Sequence, residues 1–82
     1  MAKLVDLTQH IIVFDHMTKQ VHPAEFVRFC DVQEENYVVS FRGRNFIVSK
    51  QDNRVIRPED GIIEPEGWVS EHLLDYEVRN QA

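Results

Sequence analysis

Apolar and polar positions alternate most cleanly over residues 37–50. Tyr37, Val39, Phe41, Phe46 and Val48 fall on one side at a period of two. Val38, Ser40, Arg42, Asn45, Ile47 and Ser49 fall on the other. This is the pattern of an antiparallel hairpin with one face on a core and one in water. Gly43-Arg44 fits a two-residue loop with glycine first, a type II′ turn. That loop pairs Phe41 with Phe46, Val39 with Val48 and Tyr37 with Lys50. Each buried valine or phenylalanine contributes about 1.5–3 kcal/mol, and a one-residue slip would turn all five outward.

The flanking segments carry other patterns. Residues 9–18 hold the run Ile11-Ile12-Val13-Phe14. Its brevity and β-branched content predict a strand that is apolar on both faces, an inner one or one covered on both sides. Residues 22–31 are ambiguous. Pro23 suits the first turn of a helix, and Phe26, Phe29 and Cys30 then share a face at i, i+3, i+4. As a strand, Phe26, Cys30 and Val32 would oppose Val27 and Phe29. The helical reading is slightly preferred. Gln51-Asp52-Asn53 reads as a turn, residues 54–57 as a further short strand, and residues 58–61 as another turn. Ile62 and Ile63 read as a short apolar contact. Residues 66–80 read as a helix, with Val69, Leu73 and Tyr76 at i, i+4, i+7 and Leu74 and Val78 opposite them. Glu66 and Glu71 near its start and Arg79 near its end suit the helix dipole.

The expected fold is therefore α+β in one domain, residues 1–82. A mainly antiparallel sheet of three to five strands, a meander that can curl towards a barrel, packs against a C-terminal α-helix. The meander from about Phe26 to Ile56 resembles part of an SH3- or Tudor-type small barrel. That resemblance covers under half the chain and carries over no functional residue.

Composition narrows the setting. An 82-residue chain with 43% hydrophobic residues folds, but around a modest core that is often supplemented by self-association. One cysteine, Cys30, cannot close an internal disulfide. With Asp6 too early for a signal peptide, a cytoplasmic setting is expected. The longest apolar run is far short of the roughly 20 residues of a spanning helix, so no membrane partner is expected.

Charge is unevenly placed. Residues 1–41 carry net −3, residues 42–57 net +4, and residues 58–82 net −6. The basic block makes Arg42, Arg44, Lys50, Arg54 and Arg57, with Tyr37, a candidate binding surface for nucleic acid or an acidic protein. The same charges can instead solvate a sheet face or pair with the acidic tail, in cis or across a dimer.

Reactive chemistry is poorly represented. His10, His16 and His22 recur every six residues. Six residues of strand span roughly 20 Å, and in a helix the same spacing rotates each histidine to a different face. Neither brings them to one metal. Cys30, next to Phe29, reads as a small core residue. Glu59, Asp60, Glu64 and Glu66 lack the spacing of a calcium loop. No phosphate loop, nucleophile elbow or zinc-protease motif is present. The expectation is a non-enzymatic protein-interaction module without a cofactor. It is expected to self-associate as a homodimer, with Leu74 and Val78 as candidate contacts. A nucleic-acid binder using the basic hairpin, and an acidic inhibitor of such a binder, are the alternatives.

Overall fold

A computed structural model of the chain describes residues 5–30, 35–64, 68–69 and 71–81. Six strands follow in chain order: β1 Ile11–Asp15, β2 Val21–Phe29, β3 Asn36–Phe41, β4 Arg44–Ser49, β5 Val55–Pro58 and β6 Tyr76–Asn80. They form one antiparallel sheet in the order β5-β4-β3-β2-β1-β6. The sheet curls until its two edges meet at one end. There Arg54 and Glu77 form a single bridge, and the Val78 N–H donates to the Asn53 carbonyl at 2.8 Å. Among the described residues no helix is long and apolar enough to cross a membrane.

The core lies on the concave face. Ile11, Val13, Tyr37, Val39, Phe41, Phe46, Val48, Val55 and Val78 are buried there, joined by Val69, Leu73 and Tyr76. All five inward residues expected of the hairpin are among them. Phe41 is the aromatic hub, with ring centroids 4.6 Å from Phe46, 5.5 Å from Trp68 and 5.7 Å from Tyr76.

The hairpin turn differs from expectation by one residue. Arg42 and Gly43 form it, with φ of 54° and 79°. Two left-handed residues in succession make a type I′ turn, whose twist matches the flanking strands. Val39 therefore faces Phe46, Tyr37 faces Val48, and Phe41 faces Arg44. The pairing has moved by two positions, so each side chain keeps its face.

The stretch expected to be a short helix over residues 22–31 is strand β2. It changes partner midway. Val21 to Ala24 pair with β1, and Glu25 to Phe29 pair with β3. Such a switch turns the corner of a curled sheet, and Pro23 is tolerated because it lies in the half paired only with β1. A bulge between Phe26 and Arg28 sets Val27 outward, 40% exposed. The extra residue brings both Phe26 and Phe29 onto the core. Their i, i+3 spacing imitates a helix but comes from the bulge. Cys30, expected in the core, lies beyond the end of this strand and is a free, exposed thiol.

Among the described residues the expected C-terminal helix is absent, and the fold is a nearly all-β sheet, not α+β. Glu71–Asp75 is a 3-10 helix and Tyr76–Asn80 is strand β6. Positions 66 and 67, where the helix would begin, lie outside the described residues. The stripe Val69, Leu73 and Tyr76 is buried, but from three local conformations. Tyr76 and Val78 face inward at period two while Glu77 and Arg79 face outward, so β6 completes the free edge of β1. Ile62 and Ile63, expected in an apolar contact, are 59% and 51% exposed.

Candidate interaction surface

The convex face of β2, β1 and β6 carries an apolar block. Pairing places Ile12 between Pro23 and Arg79, and Phe14 between Val21 and Glu77. Directly opposed residues share a face, so Ile12, Phe14, Val21 and Pro23 make a two-by-two patch. Ile12 and Phe14 are half-buried, Pro23 is exposed, and Val21 is 56% exposed.

Charged groups frame the patch at Phe14. The Arg79 guanidinium lies 4.4 Å from the ring centroid and the Lys19 ammonium 6.0 Å. His16 meets the ring edge-on at 4.9 Å. Glu77 binds two of these groups through Oε1, which accepts from Arg79 Nη2 at 3.0 Å and Nε at 3.2 Å. His16 Nε2 lies 2.6 Å from the same oxygen. Partial burial works to raise the Glu77 carboxyl, but the bonds from His16 and Arg79 outweigh it and hold it below its ordinary range.

The turn after β1 positions this frame. Asp15 is buried. Its Oδ1 accepts from the Met17 N–H at 2.9 Å and its Oδ2 from the Thr18 hydroxyl at 2.8 Å. Lys19 closes the turn at φ 64°. The His16 N–H donates to the Asp75 carbonyl at 2.9 Å, tying the turn to the 3-10 helix. Met17 in this turn is 66% exposed.

The six residues of the expected basic surface are not brought together. Tyr37 is in the core, its hydroxyl donating to Asn53 Oδ1 at 3.0 Å, and burial pushes its phenol well up. Arg42 stacks over Trp68 at 4.4 Å. Arg44 Nη2 donates to Asp60 Oδ1 and to the Ile62 carbonyl, each at 2.9 Å, and Nη1 lies 3.8 Å from Glu64. Lys50 lies 5.3 Å from the Phe29 ring centre, near the other end of β4. That is roughly 20 Å of strand from Arg44. Arg54 donates to the Leu74 carbonyl at 3.1 Å, and Arg57 to the Pro58 carbonyl at 3.4 Å.

The acidic segment meets one of these cations, Arg44, within the chain, and Arg28 besides. Glu59 pairs with Arg28 and accepts from Asn45, and Asp60 pairs with Arg44. Glu77 lies apart from them on β6. Leu74 and Val78, the expected self-association pair, are separated: Leu74 is 62% exposed and Val78 is in the core. Among the described residues no three histidines, cysteines or carboxylates converge as a metal site.

Sequence reasoning passed over Ile12, Phe14, Val21 and Pro23 as surface residues. The available signal was the unbroken run at residues 11–14, which is apolar on both faces. No protein-family model, curated protein or solved structure matches the chain.

Proposed function

We propose that this chain is a small, non-enzymatic protein-interaction module that docks through the convex face of β2, β1 and β6. The observation behind this reading is the Ile12, Phe14, Val21 and Pro23 block with its polar frame. A contiguous apolar patch rimmed by charge is the usual form of a docking site. The dispersal of the basic residues and the pairing of Arg44 with Asp60 and Glu64 favour this reading over nucleic-acid binding. The free thiol of Cys30 suits work in a reducing, cytoplasmic compartment.

Affinity capture from the source cell tests the proposal, comparing the wild-type chain with Val21→Asp. Val21 is exposed, so the substitution leaves the fold intact while placing a charge in the patch. The expected result is selective loss of the captured protein, a further copy of this chain included. An unchanged set of captured proteins would overturn the assignment of this face.

A further inference from the structure

The docking face carries its own clue to what occupies it. Across the strands it reads as two rows, Val21–Phe14–Glu77 and Pro23–Ile12–Arg79. A twofold axis lying in the interface, perpendicular to the strands and between the rows, exchanges one row with the other. It places Phe14 over the second copy's Ile12, Val21 over its Pro23, and Glu77 over its Arg79. Each apolar position of the two rows then meets an apolar position, and Glu77 and Arg79 each meet their opposite, twice over. Resting on the docking reading above, we propose that the occupant is a second copy of this chain, bound face to face about this axis.

Charge complementarity selects a copy over another partner. A uniformly acidic partner would oppose Glu77, and a uniformly basic one would oppose Arg79. A copy satisfies both, as an isologous contact requires. Among the described residues the bonds to Glu77 fall on Oε1 alone, so Oε2 can receive a second guanidinium. Four apolar side chains and their frame are smaller than the roughly 800 Å² per partner of a standard stable interface. The dimer is therefore weak and concentration-dependent.

Sedimentation equilibrium of the full chain over about 10 μM to 1 mM reads the assembly directly. The wild type should show a monomer–dimer equilibrium. Glu77→Arg and Arg79→Glu should each raise the dimer dissociation constant about tenfold or more, because each sets like charges against each other. An equimolar mixture of the two variants should dimerise again. Neither chain in that mixture regains its own Glu77–Arg79 pair, so repair of the fold cannot account for recovery. Should a charge reversal lose the β-sheet circular dichroism signal, Val21→Lys at its exposed position replaces it, with the same loss of dimer expected. A wild type that stays monomeric throughout overturns the second copy, while the capture experiment still judges the docking face. A dimer indifferent to these substitutions, or variants that do not dimerise when mixed, overturns the proposed arrangement.

Discussion

The two halves of the sheet treat their convex faces differently. In the half built on β3 and β4, that face is largely polar, and its one fully buried apolar residue is covered. Val38 stands directly opposite Arg28 and Ile47. Arg28 reaches from β2 to Glu59 beyond β5, so their ion pair bridges the face on which Val38 lies. In the half built on β1, Ile12 and Phe14 also face outward, and the cover over Phe14 is partial, from the long side chains of Arg79 and Lys19. The lesson is that strand alternation describes a finished surface, whereas an unbroken apolar run describes one that needs something more. The first half covers its apolar residue within one chain; the second leaves Val21 and Pro23 exposed beside half-buried Ile12 and Phe14.

The contrast can be broken most severely in the first half. Phe41→Ala removes the ring that touches Phe46, Trp68 and Tyr76, and should cost about 3–5 kcal/mol. Urea denaturation would show this as a large fall in midpoint, or as a chain already unfolded in buffer. A loss under about 1 kcal/mol would deny Phe41 its place as hub.

The turns sharpen the same contrast. The β1–β2 turn is organised by a buried side chain, the β3–β4 turn by backbone conformation. Asp15→Ala leaves the Met17 N–H and Thr18 hydroxyl without their acceptor and should cost about 2 kcal/mol. Gly43→Ala meets no atom within 4 Å of the added carbon, so only the φ of +79° opposes it. Its cost should be about 1 kcal/mol. Equal losses in the two denaturation curves would mean that the turns are held in the same way.

Acid should act on the β1 half first. Burial, with help from the charge of Arg42, holds His22 below its ordinary 6.5. The unfolded chain therefore binds a proton there more readily than the folded one, so stability falls as pH drops from 6.5 towards the lower folded value. A second fall follows as the lowered carboxyls protonate below their ordinary values of 4.5 for Glu59 and Glu77 and 3.8 for Asp60. Thermal melts across this range should show both steps, and His22→Asn should remove only the upper one. A single acid step in the wild type would contradict the assignment to His22.

What the sequence disclosed follows the same division. Tyr37, Val39, Phe41, Phe46 and Val48 were legible because alternation is local and each residue contributes to one pattern. The turn was misplaced because an arginine at positive φ, stacked on a distant tryptophan, is not a local preference. β2 was read as helical because a bulge gave its phenylalanines a helical spacing. β6 was read as helical because Val69 and Leu73, from a loop and a 3-10 helix, aligned by chance with Tyr76. Tyr76-Glu77-Val78-Arg79 did alternate, but four residues compete poorly with a longer false stripe. Of the proposed docking face, only the run at residues 11–14 was visible. Its frame is assembled by pairing between residues at opposite ends of the chain.

That last pairing governs how the protein comes into being. β1 pairs with β6, so Ile11 faces Asn80 across nearly the whole described chain. Asp6 and Asn80 clasp the same junction, with hydrogen bonds of 2.9 and 2.7 Å between them. During synthesis the meander from β2 to β5 can collapse early, because its partners are neighbours in sequence. β1 must wait with one edge unpaired until the final strand emerges from the ribosome. Closing so long a loop is slow relative to forming the hairpins, and until it closes the nascent chain exposes an apolar strand that invites capture by chaperones.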